Sequence, residues 1–201
     1  MKSLQDMSLE ELWQLFPVVL KEHNSDYALW YDEERRELLH ILRGCGVCRI
    51  NHIGSTSVKG LIAKPIVDIL LELPRDYAAD NITALLQKAD WLLMASNHDA
   101  KTLDLNKGYT PSGFAEKVFH LHIKPSGDWG ELYFRDYLGE HPGAAREYEA
   151  LKLHLKNQYE HNRDAYTTEK SEFIIEHTQK ARKEFGGRYR PTEQNPAKSG
   201  D

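Results

Sequence analysis

The segment 65–73 constrains the fold more than any other part of the chain, because it is apolar at nearly every position. Its only charged side chains are the carboxylates Asp68 and Glu72. A strand with one face in water alternates apolar and polar residues, whereas a nearly continuous apolar strand is covered on both faces. The segment is therefore predicted to be a central strand with protein packed on both sides.

The patterns around this strand predict an α+β domain. Strands are expected at 18–20, 47–53, 91–95 and 118–123, with a short one near 102–105 inside the polar, glycine-containing segment 96–116. Helices are expected at 9–16, 26–43, 78–89, 128–139, 142–160 and 165–185. A capping box at Ser8 begins the first helix and Pro17 ends it. We predict one domain over 1–186 with a helical C-terminal half, followed by a flexible tail over 187–201.

Composition and charge exclude two classes of partner. The net charge of −5 argues against broad, nonspecific binding to nucleic acid, which depends on basic surface. No apolar run approaches the roughly 18 residues of a membrane span, and the N-terminus has no signal-peptide pattern. A cytoplasmic protein without a membrane partner is therefore expected. Lys152 and Lys156 are interpreted as residues of a solvated helix face.

A small-residue turn before the central strand indicates a phosphate site. Gly54 and Ser55 let backbone amides and a hydroxyl approach a phosphate closely, because glycine has no side chain to block it. Asp68 follows on the next strand, and a carboxylate near a phosphate allows a hard divalent cation to bridge the two. Together these features indicate nucleotide chemistry. Two alternatives stay open: the turn is only a tight connection, and Lys64 is either a phosphate ligand or a solvated loop residue.

The two-residue period of a strand places Asp68, Leu70 and Glu72 on one face. Carboxylates at i and i+2 lie about 7 Å apart at Cα, close enough to share a Mg²⁺ ion. Position 70 is leucine, and Glu72 lies about 13 Å from Asp68 by the same rise, so the second carboxylate of a metal pair is missing. Since an unpaired buried carboxylate is costly, Asp68 has an alternative role as an ion-pair partner of Lys64 or Arg135.

Several separate motifs resemble the GrpB family, which is grouped with the nucleotidyltransferase superfamily. The matching residues are 52–57, 60–69, 120–123 and 134–138, then Tyr166, Lys170 and Phe173, with Trp30, Tyr31 and Glu34 near the start. The resemblance covers roughly 18–178. It implies a nucleotidyltransferase-like fold, in which a small mixed β-sheet is flanked by helices.

The resemblance also implies the residues of a nucleotide site. The implied phosphate-binding residues are Gly54, Ser55, Thr56 and Lys64. Asp68 is implied as a catalytic metal ligand for Mg²⁺ or Mn²⁺, and His122 is the second implied catalytic residue, where a third acidic ligand is usual. Leu70 departs from the paired acids of active superfamily members, and a histidine is less suited to Mg²⁺ than a carboxylate. Further candidates are His120, Arg135 and Lys170.

The further candidates have structural alternatives. His120 and His122 share one face of their strand and form either a packed, hydrogen-bonded pair or a ligand pair. Arg135 and Asp136 are alternatively a pair that docks one helix, and Lys170 is alternatively a surface residue.

Three functions stay open at this point. The first is a metal-dependent enzyme that transfers a nucleotidyl group from a nucleoside triphosphate to a small acceptor of unknown identity. The second is a catalytically silent module that binds a nucleotide or another small ligand and regulates a partner. Since domains of this family occur fused to dephospho-coenzyme A kinases, the resemblance connects the second function to coenzyme A metabolism. The third is a scaffold that uses the helical C-terminal half. The sequence leaves the oligomeric state open.

Overall fold

The computed structural model of this protein describes residues 2–191. Within this range the helices are α1 (Leu9–Leu15), α2 (Asp26–Ile41), α3 (Ala79–Gln87), α4 (Gly130–Glu140), α5 (Pro142–Tyr159), α6 (Arg163–Thr168) and α7 (Ser171–Phe185). The strands are β1 (Arg49–Ile53), β2 (Val67–Leu73), β3 (Leu92–Asn97), β4 (Thr102–Thr110) and β5 (Gly113–Pro125). Short 3₁₀ turns cover Leu4–Asp6 and Ser55–Ser57. The elements confirm the α+β class and the helical C-terminal half.

The described strands form one mixed sheet in the order β1-β2-β5-β4-β3. β2 and β5 run parallel, and the other neighbouring pairs are antiparallel. Parallel strands need a long crossover connection, and here it contains α3 and the β3–β4 hairpin. The sheet is thus small, mixed and flanked by helices, which is the arrangement that the family resemblance implies.

β2 is buried on both faces, as its sequence predicts. One face contributes Val67, Ile69, Leu71 and Leu73 to the main core, together with residues of α2 and α3. On the other face Leu70 packs with Ile53 of β1 and Leu132 of α4. Asp68 is the one residue of β2 that keeps partial exposure to solvent. A partly exposed carboxylate in an otherwise buried strand marks the place where the sheet opens towards a site.

The C-terminal helices pack against the segment that follows the Gly54 turn. Phe134 and Leu138 of α4 and Tyr148 of α5 form an apolar cluster with Val58 and Leu61. This cluster brings α5 close to the turn, and α6 follows α5 directly. The helical half is therefore positioned to contribute side chains to the same side of the sheet as Asp68.

Three predicted elements differ from the structure. The segment 96–116, for which only a short strand near 102–105 is predicted, is mostly the β4–β5 hairpin, because pairing with β5 imposes strand structure on a polar sequence. The predicted strand at 18–20 is absent. The Val18 amide donates to the Glu160 carbonyl instead, and the next residue after this segment, Lys21, forms an isolated antiparallel bridge with Ala63. The predicted helix 165–185 is split into α6 and α7, and the break places Lys170 at the N-cap of α7.

The described part of the predicted tail contacts the domain. Tyr189 accepts a hydrogen bond from Arg135 at its hydroxyl, donates one to Asp136, and packs its ring edge-on against Tyr133. The rest of the predicted tail, 192–201, lies outside the described residues. None of the helices in the described range combines the length and apolarity needed to cross a bilayer.

Candidate functional site

Gly54 lies against Asp68 at the end of β1. Its backbone has φ +69° and ψ −174°, a region that only glycine adopts readily. A Cβ atom at this position would lie 3.0 Å from Cγ of Asp68 and closer still to Oδ2. The turn therefore lies directly against the carboxylate, so the two features that the sequence singles out are within reach of each other. Ser55, the next residue, begins a 3₁₀ turn.

Asp68, His120 and His122 meet at the junction of β2 and β5. The parallel register pairs Asp68 with His120 and Leu70 with His122. Oδ1 of Asp68 lies 3.1 Å from Nδ1 of His120 and 3.9 Å from Nε2 of His122. The three side chains keep 26, 17 and 32% of their surface exposed, so a ligand can reach them. We call these three residues the Asp68 site.

The outer nitrogen of each histidine is held by a polar group on β4. Nδ1 of His122 lies 2.7 Å from Oδ1 of Asp104, and Nε2 of His120 lies 2.7 Å from the hydroxyl of Tyr109. Arg163 of α6 donates a hydrogen bond of 2.9 Å to the same hydroxyl. Both imidazole rings are thus oriented from outside, with their other nitrogens towards Asp68.

The environment separates the protonation states of the two histidines. Burial lowers the pKa of His120, although Asp68 opposes this effect. Burial alone would lower the pKa of His122, but its hydrogen bond to Asp104 and the negative charges of Asp68 and Asp104 prevail and raise it to about 9. Although burial opposes ionisation of Asp68, the hydrogen bond with His120 and the attraction of both imidazole rings hold its pKa well below the usual range. The carboxylate is therefore ionised at neutral pH and available as an anionic ligand.

Four cationic side chains act on one another beside the Asp68 site. They are Lys64, Lys152, Lys170 and Arg163, and we call them the cation cluster. Burial lowers the pKa of Lys64 and Lys152 to about 7 and that of Lys170 to about 8, and repulsion between members of the cluster adds to this effect. Asp68 opposes the shift at Lys64 and Lys170. The cluster is suited to a ligand with several negative charges, which would relieve the repulsion.

Aromatic rings and the Gly54 turn position the lysines of this cluster. The ammonium groups of Lys64 and Lys170 lie 5.5 and 4.4 Å from the ring centroid of Tyr166. Lys152 donates a 3.2 Å hydrogen bond to the hydroxyl of Ser55 and another to the carbonyl of Ile62. Lys152 of α5 is thereby bonded to the predicted phosphate turn.

Four residues of this region were not recognised from the sequence. The prediction that Lys152 is solvated is wrong, because the residue is only 2% exposed. Asp104, Tyr109 and Arg163 were not considered as site residues. Asp104 and Tyr109 lie on β4 five residues apart, so strand alternation predicts opposite faces; the register shift between Lys107 and Tyr109 brings both to the histidines. No local pattern distinguishes Lys152 or Arg163 from an ordinary helix cation.

Other predicted site residues have structural partners instead. The hydroxyl of Thr56, which is 2% exposed, donates to the Ile66 carbonyl and lies 2.9 Å from Nε2 of His52. Arg135 donates hydrogen bonds to Asp136, to the His52 carbonyl and to the hydroxyl of Tyr189. These contacts agree with its alternative role as part of a pair that docks one helix. The structure pairs Asp68 with the two histidines rather than with either of its predicted ion-pair partners.

The remaining carboxylate of β2 is structural. Glu72 has no exposed side-chain surface and forms a two-point ion pair with Arg49, with N···O distances of 2.6 and 2.9 Å. Its second oxygen also accepts the Gly127 amide at 3.0 Å. Glu72 therefore does not replace the acid missing at Leu70, in agreement with its predicted distance from Asp68.

Comparison with known proteins places this chain among GrpB relatives. The glutamate-rich protein GrpB of Alkalihalophilus pseudofirmus is 34% identical over 164 residues, which cover 79% of this chain and 92% of that protein. The UPF0157 protein YqkA of Bacillus subtilis is 31% identical over 179 residues, which cover 86% of this chain. This chain spans only 50% of YqkA. These sequence relatives therefore differ in total length.

A solved structure and a family profile agree with these relatives. The conserved protein GrpB from Enterococcus faecalis has a TM-score of 0.71 and 27% identity, with coverage of 83% of this chain and 99% of that chain. The family described as GrpB protein matches residues 17–180, which include β1 to β5 and the complete site. On this evidence the chain belongs to the GrpB family.

Proposed function

We propose that this chain binds a nucleoside triphosphate together with a divalent cation and transfers a nucleotidyl group from it to a small acceptor. The observation that carries the proposal is the cation cluster, since Lys64 and Lys170 interact with the ionised Asp68 and the other two cations act on these lysines. Such a concentration of like charge is unfavourable without an anion. A triphosphate with its cation complements both the cluster and the Asp68 site.

Each part of the site has a role in this proposal. The Gly54 turn and Lys152 bind phosphate oxygens, and Lys64, Lys170 and Arg163 stabilise the charge of the leaving pyrophosphate. A divalent cation held by Asp68, Mg²⁺ or Mn²⁺ by family resemblance, supplies charge neutralisation at the phosphates when bound. The acceptor oxygen bonds to the α-phosphorus, the bond to the bridging oxygen breaks, and pyrophosphate leaves while the hydroxyl proton passes to solvent.

Removal of one cation of the cluster is expected to weaken nucleotide binding. The variant Lys152→Met keeps the apolar stem but loses the ammonium group that bonds to Ser55. A hydrogen bond to a charged group contributes about 1.5–3 kcal/mol, so we expect a loss of affinity of about tenfold or more. Calorimetric titration with ATP, GTP, CTP and UTP, each with Mg²⁺ or Mn²⁺, measures this change.

Lys156→Met is the matched control, because Lys156 lies one turn further along α5 and pairs with Glu160 instead. We expect this control to bind triphosphate like the wild type, and Asp68→Ala to lose the contribution of the metal. If no triphosphate binds to the wild type with either metal, the proposal fails. Equal affinity of Lys152→Met and Lys156→Met would remove the cation cluster as its basis.

Leu70 favours a second function, a catalytically silent module that binds a nucleotide or related ligand. Leu70 is fully buried against Ile53 and Leu132, where active superfamily members carry a second acid by the resemblance stated above. Loss of that acid removes transition-state stabilisation but leaves phosphate binding intact. Pyrophosphate release from any triphosphate in a screen of small acceptors separates the enzyme from the silent module.

A relative connects the silent module to coenzyme A metabolism. Dephospho-CoA kinase of Mycobacterium bovis is 24% identical over 180 residues, which cover 76% of this chain and 44% of that protein. The present sequence has no P-loop pattern of its own. Under this second function, a phosphorylated precursor of coenzyme A is the ligand to test beside the triphosphates.

Binding of the triphosphate is expected to take up protons near pH 8. The pKa of Lys64 and Lys152 is about 7, so both are largely neutral at pH 8 in the free protein, and Lys170 is half protonated. A bound polyanion favours the charged forms and raises these pKa values. Affinity should therefore fall as the pH rises from 7 to 9.

Calorimetry at pH 8 in two buffers of different ionisation enthalpy measures this uptake, with the metal saturating throughout. We expect about one proton or more per ligand. Lys152→Met should take up fewer protons than the wild type, whereas Lys156→Met should not differ from it. Identical heats in the two buffers would contradict the assignment of neutral lysines to the site.

A further inference from the structure

The Asp68 site has the donor set of a metal centre in which nitrogen outnumbers oxygen. Its donors are Oδ1 of Asp68, Nδ1 of His120 and Nε2 of His122. Each residue offers one ligand atom, and the three atoms lie within 4.8 Å of one another. The donors come from two neighbouring strands in parallel register, so their spacing is set by the rigid sheet.

The outer contacts of both histidines match those of metal-binding imidazoles. Such rings usually donate their second N–H group to a carboxylate, a carbonyl or a water, which fixes the ring and leaves the other nitrogen free for the metal. The Asp104 carboxylate lies 2.7 Å from Nδ1 of His122, so the proton stays on Nδ1 and Nε2 is the nitrogen that can give up its proton to a metal. The Tyr109 oxygen is equally close to Nε2 of His120. These contacts are independent of the cluster of donors itself.

β2 offers no second acid for a Mg²⁺ pair, and Asp104, the acid that β4 presents on this sheet face, is held by His122 at 2.7 Å. Leu70 fills the nearer position and is fully buried, and Glu72 is bound by Arg49. Mg²⁺ prefers an octahedral set of oxygen ligands, whereas two imidazoles and one carboxylate suit Mn²⁺, Fe²⁺, Co²⁺ and Zn²⁺. The donor set therefore does not fit the two-Mg²⁺ arrangement of active nucleotidyltransferases.

We infer that Asp68, His120 and His122 bind one transition-metal ion per chain in preference to Mg²⁺. The inference rests on the proposed function for the ligand that completes the coordination, which is a phosphate oxygen of the triphosphate. A set of three protein donors leaves coordination positions open for such a ligand. The cation cluster borders these positions through Lys64 and Lys170, whose charges interact with Asp68.

Metal binding is tested without nucleotide, on protein freed of metal with a chelator. Titration with Co²⁺, followed by visible absorption, should show one ion per chain and a spectrum with nitrogen ligation. Calorimetry should show binding of Mn²⁺ and Zn²⁺, and no heat from Mg²⁺ at concentrations at which Co²⁺ saturates the protein. Two ions per chain, or Mg²⁺ binding as tight as that of Co²⁺, would overturn the inference.

Variants separate the ligands from their neighbours. His122→Ala should lose Co²⁺ binding, whereas Asp104→Asn should retain it with an affinity about 10–100-fold lower, because the supporting carboxylate is weakened. His141→Ala is the control, since that histidine pairs with Glu184 on the C-terminal helices. Unchanged Co²⁺ affinity in His122→Ala would refute the assignment, and circular dichroism verifies that each variant is folded.

Failure of this inference differs from failure of the proposed function. If Co²⁺ binds as described but no triphosphate binds with any metal, the metal centre stands and the nucleotide proposal falls. If triphosphate binds with Mg²⁺ while the metal-free protein ignores Co²⁺, the nucleotide proposal stands and the metal centre falls.

Discussion

Replacement of Arg49 with methionine is expected to lower the free energy of unfolding by about 3–5 kcal/mol, because it leaves a buried carboxylate without its partner. Glu72 has no exposed side-chain surface, and Arg49, 28% exposed, holds both of its oxygens. Arg49 also donates to the carbonyls of Gly127 and Tyr189. The loss therefore affects the centre of the sheet and the segment that follows α7. Urea denaturation followed by circular dichroism measures it.

Two further variants identify the cause of the destabilisation. Arg49→Met combined with Glu72→Gln should recover much of the stability, because the neutral amide still accepts the Gly127 amide and leaves no buried charge. Lys117→Met breaks an exposed ion pair with Glu33 and should change stability little. A double variant no more stable than Arg49→Met would attribute the loss to packing of the arginine rather than to the charge.

Replacement of Gly54 with alanine is expected to abolish metal and triphosphate binding under conditions that saturate the wild type. The new Cβ would overlap the carboxylate of Asp68, which would have to turn away from His120 and His122. The backbone conformation at Gly54 costs a residue with a side chain about 1–3 kcal/mol, so some stability is lost as well. Co²⁺ absorption and triphosphate calorimetry measure the binding, and urea denaturation measures the stability.

Gly44→Ala is the matched control for this variant. Gly44 also has a positive φ, +83°, but nothing lies within 4 Å of the position of its Cβ. The variant Gly44→Ala should lose stability through backbone strain but still bind both the metal and the triphosphate. If Gly54→Ala binds Co²⁺ as the wild type does, the contact between the turn and Asp68 is not essential to the site.

Much of the fold could be predicted because its elements have strong local signals. The nearly continuous apolar sequence of β2 predicts a strand covered on both sides, and helix spacing predicts α1 to α5 with small errors at the ends. The errors at β4 and at the α6–α7 break have one physical cause. Polar strands and short helices take their structure from neighbours that are distant in sequence, and no local pattern records those neighbours.

The candidate site, like the fold, was predictable from the sequence only where its features are local. The sequence by itself determined that Gly54 lies in a turn before the strand that carries Asp68, that His120 and His122 share one strand face, and that no second acid stands at Leu70. Only the tertiary structure decided that these histidines lie beside Asp68, with Asp104 and Tyr109 behind them, and that lysines from separate helices join them. The physical reason is that strand period is local, whereas the parallel register of β2 with β5 and the packing of α5 to α7 depend on the whole core.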